Sequence, residues 1–343
     1  MGKRIIFCAD GTWDTVQNDT NVYKLFRAVL PMSDQVVFYD SGVGSDGTPF
    51  ARLVGGAFGT GLFQKIKDGY AKIARVYRPG DDIFIFGFSR GAFIARSLAG
   101  MIAICGLPTT SFDDAFVTTA FQAYRNPHER ISLLDSLKNY NLADVAIKMV
   151  GVWDTVGVLG IPAVFGKVDP ILYGFLDTSL HPNVLNAYHA LAIDECREEF
   201  PPALWTLPFP SVEGQVLEQV WFSGVHCDVG GGYLETGLSD ITLSWMMGKA
   251  EKLGLKIDTN TSEQYSSLDT THALDKIHES WNLLWLYPKR RMIVSQSFLS
   301  NSVAIRCESK SSYQPKNLKL IEGKPDVSYP QVQVLALQPG AVL

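Results

Sequence analysis

Asp82-Ile-Phe-Ile-Phe-Gly-Phe-Ser-Arg-Gly-Ala92 is the stretch that decides the fold. After Asp82 the run to Phe88 is wholly apolar, too continuous for a sheet with one wet face. Such a run suits a central parallel strand covered on both sides. Gly87-Phe-Ser-Arg-Gly91, at its end, is a G-x-S-x-G, and Ala92 to Ala103 carries a helical pattern. Strand, G-x-S-x-G and helix in that order form a nucleophile elbow, a turn so tight that side chains two positions either side of Ser89 would collide. The turn lifts the Ser89 hydroxyl above the sheet edge and sets the Arg90 N–H to donate to an oxyanion.

The same alternation extends in both directions. Upstream, Lys3–Ala9 reads as a strand, Asn21–Leu30 as a helix, Gln35–Asp40 as a strand and Phe63–Tyr77 as a helix, with a turn at Arg78–Asp81. Downstream, buried strands are expected at Ala146–Trp153 and Glu218–Gly224. Alternation of this kind predicts an α/β fold with a mostly parallel central sheet and helices on both faces, and the elbow makes it α/β-hydrolase-like. Two stretches break the rhythm. Residues 107–140 read as a helical insertion, and 156–210 as a lid or cap. The cap opens on apolar Leu159, Ile161, Val164, Phe165, Ile171, Leu172 and Phe175, which are either core or an acyl-chain pocket. The tail after about Asn317 is Pro-rich and polar, and is expected to wrap the surface. With no repeat and no linker, residues 1–343 are expected to form one elaborated domain.

Composition narrows the function classes. The chain has 343 residues, 46% of them hydrophobic, and a formal net charge of −5. That balance excludes the broad basic footprint of a nucleic-acid binder and leaves ample material for a core. Five scattered cysteines, never spaced C-x-x-C, predict reduced thiols and neither a disulfide frame nor a zinc site. No apolar run reaches the ~20 residues of a membrane span, and the amino terminus lacks the long apolar core of a signal peptide. A cytoplasmic protein is expected, with peripheral membrane contact and leaderless export both left open. The oligomeric state has no signature in the sequence.

A serine nucleophile needs a base, and the base needs an orienting acid. Of six histidines, only His226 follows a β-like run, Val220-Trp-Phe-Ser-Gly-Val-His226, and precedes a glycine loop, Gly230-Gly-Gly232. His189 falls in a pattern that reads as helical and is expected to be a packing residue. The best acid is Asp154, just past the strand ending at Trp153, whereas Asp228 is too near His226 in the chain and reads as a loop cap. The resulting order, Ser89, Asp154, His226, is that of α/β-hydrolases. Asp10-Gly-Thr12 follows the first strand, so the N–H of Gly11 or Thr12 is a candidate second oxyanion donor.

Other motifs are weaker. A D-x-D-G-T phosphatase loop would need Asp where Cys8 stands. Gly42-Val-Gly-Ser-Asp-Gly47 matches a dinucleotide loop, but no helix opens behind it and Asp46 would repel a pyrophosphate. No H-E-x-x-H or other metal-ligand spacing occurs, so neither metal nor organic cofactor is expected. Lys289-Arg-Arg291 reads as a short solvated run.

Taken together, Ala9-Asp-Gly-Thr-Trp13, Gly42-Val-Gly44, Gly87-Phe-Ser-Arg-Gly-Ala92, Gly151-Val-Trp-Asp-Thr-Val-Gly157 and Trp221-Phe-Ser-Gly-Val-His-Cys-Asp-Val-Gly-Gly-Gly-Tyr233 resemble the α/β-hydrolase family of type VI secretion phospholipase effectors. His189-Ala-Leu-Ala-Ile-Asp-Glu-Cys-Arg197 and Leu238-Ser-Asp240 also look like that family. The resemblance runs over roughly residues 3 to 320. It implies a Ser–Asp–His triad at Ser89, Asp154 and His226, and hydrolysis of carboxylic esters, phospholipid acyl esters among them. Cys227 stands where the family pattern suggests serine, and the chain is shorter than many of the effectors. The alternatives are a catalytically inactive fold acting as a binding module, and an acyltransferase or peptidase using the same three residues.

Overall fold

The computed structural model describes residues 2–11, 19–42, 57–156, 178–281, 285, 287–310 and 312–335. Its centre is an eight-stranded sheet of β1 (Arg4–Ala9), β2 (Gln35–Asp40), β3 (Asp82–Phe88), β4 (Ile147–Trp153), β5 (Asn186–Ala192), β6 (Val216–Phe222), β7 (Phe298–Ser300) and β8 (Gln331–Val332). The strands lie in the order β8-β7-β6-β5-β4-β3-β1-β2. All the pairings are parallel. This is the α/β architecture expected from the strand–helix alternation.

Side-chain alternation sorts the strands' apolar residues onto two faces. Ile5, Phe7, Ile83, Ile85, Val150 and Val152 join one core, with residues of α2 (Ala57–Val76) and α3 (Arg90–Cys105) such as Ile66, Tyr70, Phe93 and Leu98. Ile6, Cys8, Phe84, Phe86, Met149 and Trp153 join the other. That second face is covered by α1 (Asn21–Ala28) and by the helix Gly237–Lys252, through Leu25, Ile241 and Met246. Ile83 to Phe86 and Phe88 are all at most 1% exposed, which is why their sequence shows no polar alternation.

The register brings the ends of the central strands level. Ala9 pairs with Gly87, Phe88 with Trp153, Trp153 with Ala190, and Ala192 with Phe222. Residues that follow β1, β3, β4, β5 and β6 therefore emerge along one edge, where ligands of parallel sheets bind.

Four expectations are corrected. The range 156–210 contains the central strand β5, so it is not an insertion throughout, and His189 is a strand residue, not a helical one. From Ala187 to Ala192 its run is Ala-rich and apolar apart from the histidine, a composition that suits a short helix as well as a strand buried on both faces. The tail does not merely wrap the surface: β8 pairs with β7, and Leu318, Tyr329 and Leu335 are buried. Arg291 is not solvated but only 6% exposed. Between α3 and β4, the stretch 107–140 holds the helices Asp114–Arg125 and Arg130–Ser136. Thr12, the rest of the loop beyond Gly42 to Gly47, and Leu159, Ile161, Val164, Phe165, Ile171, Leu172 and Phe175 lie outside the described residues. Among the described residues, no helix is long and apolar enough to cross a membrane.

Candidate active site

Ser89 sits between β3 and α3 with φ 58° and ψ −120°, a backbone conformation that L-residues rarely adopt. Such a conformation costs on the order of 1–3 kcal/mol and persists only where the surroundings enforce it. Here they do. The Ser89 N–H donates to the Trp153 carbonyl at 3.0 Å. A Cβ on Gly87 would lie 2.4 Å from the Gly91 oxygen, and one on Gly91 would lie 2.2 Å from the Ala9 oxygen. Only glycines let the strand end, the turn and the helix start approach this closely.

The elbow aims the hydroxyl at His226. Ser89 Oγ lies 2.8 Å from His226 Nε2, and His226 Nδ1 lies 2.6 Å from Asp154 Oδ2. The carboxylate requires the proton on Nδ1, which leaves Nε2 as the acceptor for the serine hydroxyl. All three are buried, Ser89 and His226 at 4% exposure and Asp154 at 0%. Thus β3, β4 and β6 each deliver one expected residue, and all three meet. The imidazole is walled by Phe88, whose ring centroid is 4.6 Å away, and by Phe200, edge-on at 5.1 Å. Burial pulls the His226 pKa down, against the upward pull of Asp154.

Two groups that sequence reasoning missed complete the array. Arg291 Nη1 and Nη2 reach Asp154 Oδ1 and Oδ2 at 2.5 and 2.9 Å. The Ala192 N–H also donates to Asp154 Oδ1, at 3.1 Å. Burial alone would raise the Asp154 carboxyl pKa, but Arg291 and His226 outweigh it and hold the group well below the ordinary range. Glu195 is the second group. Its carboxylate accepts the Arg197 Nε and Nη2 donors at 2.9 and 2.8 Å, the Ser280 hydroxyl at 3.1 Å and the His226 backbone N–H at 3.3 Å. Burial pushes its pKa up, yet the Arg197 bonds bring it down to about 2. Glu195 and Arg197 were visible in the sequence only as part of a family-like block. Arg291 gave no signal at all.

The other candidates fall out as follows. Asp228 does not touch the His226 ring: it bonds His278 Nδ1 at 2.6 Å and the Val225 N–H at 3.0 Å. His189, on β5, accepts the Thr155 N–H at its Nε2, and burial lowers its pKa to about 3, so it is a neutral packing residue. The Gly11 N–H is engaged by its neighbour, donating to Asp10 Oδ1 at 2.8 Å, so it is not presented to an oxyanion. That buried Asp10 also accepts the Thr20 and Tyr39 hydroxyls, each at 2.7 Å. Arg90 opens α3 directly after the serine, at the positive end of the helix dipole. Among the described residues, no group of three or more His, Cys, Asp or Glu side chains is placed to hold a metal ion.

Comparison with known proteins gives this geometry a family. The model for "T6SS, Phospholipase effector Tle1-like, catalytic domain" matches residues 3–249. That span holds Ser89, Asp154 and His226 but not Arg291. An uncharacterized protein of Saccharomyces cerevisiae is 30% identical over 239 residues, covering 62% of this chain and 34% of that protein. Among solved structures, an uncharacterized protein from Pseudomonas aeruginosa superposes with a TM-score of 0.43 at 16% identity, over 76% of this chain and 47% of that one. The Tle1 effector bound to the VgrG spike of the type 6 secretion system gives 0.38 at 17% identity, over 68% and 51%. The chain thus spans about a third of the yeast relative and about half of each solved chain. With the match running from β1 through β6 and most of the helix that covers them, the chain belongs to the family of Tle1-like phospholipase effector catalytic domains of type VI secretion.

Proposed function

We propose that this chain hydrolyses carboxylic esters through a covalent acyl-serine, with the acyl esters of phospholipids as its substrate class. The observation that carries the reading is the unbroken line Ser89 Oγ–His226 Nε2, His226 Nδ1–Asp154 Oδ2, at 2.8 and 2.6 Å, ending on a serine held in an elbow. The family supports the lipid ester as the group attacked.

The steps follow from which atom can hold a proton. Ser89 Oγ attacks the ester carbonyl carbon while its proton passes to His226 Nε2. The carbonyl oxygen becomes an oxyanion, which accepts from the Arg90 N–H; one such donor is worth about 3 kcal/mol in the transition state. Asp154 remains ionised and stabilises the imidazolium. Collapse breaks the ester C–O bond, and His226 returns its proton to the leaving alkoxide. A water then attacks the acyl-serine, losing a proton to His226 Nε2. The second collapse releases the fatty acid and reprotonates Ser89. Burial of His226 matters here, because only the neutral imidazole can accept the first proton, and its lowered pKa keeps it neutral into mild acid.

Two assays test the substrate class: p-nitrophenyl esters from acetate to palmitate, and phosphatidylcholine vesicles scored for free fatty acid. The expected result is turnover of the soluble esters and fatty-acid release from the vesicles. Turnover of the soluble esters without release would reject the phospholipid and leave an esterase. A folded protein inert on both would reject the hydrolase reading itself.

A further inference from the structure

Asp154 is wholly buried and carries a negative charge, and the cation that answers it comes from outside the span matched by the family. Resting on the reading of Ser89, His226 and Asp154 as the reacting array, we infer that Arg291 is a positioning residue of the active site. By gripping both oxygens of Asp154 it aims the acid at His226 and supplies the array's counter-charge.

The geometry argues for aim. Oδ2 is shared between His226 Nδ1 and Arg291 Nη2, and Oδ1 between the Ala192 N–H and Arg291 Nη1. The carboxylate plane is therefore fixed from two sides, and rotation would break the Arg291 pair. The guanidinium is itself anchored: Nη1 donates to the Ala192 carbonyl and Nη2 to the Phe200 carbonyl, both at 2.9 Å. Only a planar fork with several donors can meet two carboxylate oxygens and two carbonyls together; an ammonium cannot.

Charge argues in the same direction. Among the described residues, the charged and titratable groups facing the pair are Glu195, Arg197, His189 and Arg291. Glu195 and Arg197 are paired with each other, and His189 is neutral. Arg291 is therefore the cation that compensates the carboxylate. Without it the Asp154–His226 pair would keep one buried negative charge and bind a proton more tightly. His226 would then be protonated, and useless as a base, up to a higher pH.

A purely structural staple is the competing role. The segment around Arg291 has its own ties, since the Lys289 N–H donates to the Cys196 carbonyl at 2.7 Å and Ile293 is buried. Loss of packing would lower activity and melting temperature together, but would not move a pH limb. The test is therefore kcat, KM and the pH profile of kcat/KM on p-nitrophenyl butyrate for wild type, Ser89→Ala, Arg291→Met and Arg291→Lys, with thermal melting of each.

Arg291→Met is expected to lower kcat about 100-fold with KM within about threefold. Its acid limb should rise by about one pH unit. Arg291→Lys should restore the limb and recover only part of kcat, since it returns the charge without the fork. A wild-type limb in Arg291→Met, or equal losses in both variants that track the melting temperature, would overturn the inference. If Arg291→Met does not fold, Arg291→Lys decides: a reduced kcat at an unmoved limb and a wild-type melting temperature supports the role, and wild-type kcat, or a loss that tracks the melting temperature, overturns it. A wild type no faster than Ser89→Ala would overturn the reading of the array, and this inference with it.

Discussion

Replacing Ser89 with alanine is expected to lower kcat by about 10⁴-fold or more while leaving the protein folded. The hydroxyl is the proposed nucleophile, so its loss removes the covalent route and not merely a binding contact. What survives would be water attack assisted by the Arg90 N–H, with His226 as a base that has lost its partner. The fold has little reason to change. Alanine keeps the same Cβ at φ 58°, and Ser89 makes no side-chain cap bond to its own helix. What Ser89 Oγ holds is the bond to His226, and a small cavity replaces it. Initial rates and thermal melting check both halves. Activity above a tenth of wild type would place the chemistry elsewhere.

Asp154→Asn is expected to cost about 10⁴-fold in kcat as well, and to destabilise the protein where Ser89→Ala does not. An amide offers one oxygen where the site needs two acceptors. If that oxygen faces Nδ1–H, the NH₂ group is driven against the Arg291 fork, donor against donor. If the amide flips, NH₂ meets His226 Nδ1, the ring proton moves to Nε2, and the base turns a donor toward Ser89. Either way a buried guanidinium loses one of its four acceptors and the charge that answers its own, and breaking a buried pair costs about 3–5 kcal/mol. Urea melts and kcat together separate the two effects. Near-wild-type turnover in a stable variant would show that His226 needs no anionic partner.

The elbow was legible because it rests on local chemistry. A continuous apolar run, a serine between two glycines and a helical pattern follow one another without a gap, and each needs only its neighbours to be recognised. Asp154 and His226 were legible for a similar reason, since each stands just past an apolar run that reads as a buried strand. Strand β5 was hidden. Asn186-Ala-Tyr-His-Ala-Leu-Ala192 has no alternation to betray a strand, because both of its faces are covered, and its alanines suit a helix equally.

Arg291 was hidden more deeply. In the chain it belongs to a basic run, with exposed Tyr287, Met292 and Val294 nearby, and its acid lies 137 residues away. Nothing local marks a cation whose partner is set by tertiary structure. The Gly11 donor was misread for the opposite reason. The Asp10 carboxylate takes the N–H of the residue that follows it, a short-range bond between chain neighbours.

The most direct test of the account is covalent. Wild-type protein is treated with a fluorophosphonate, digested, and mapped by mass spectrometry alongside Ser89→Ala and His226→Ala. The account requires one adduct, on Ser89, absent from Ser89→Ala and formed far more slowly in His226→Ala. A folded wild type that takes no label, or takes it on a residue other than Ser89, would contradict the serine mechanism outright.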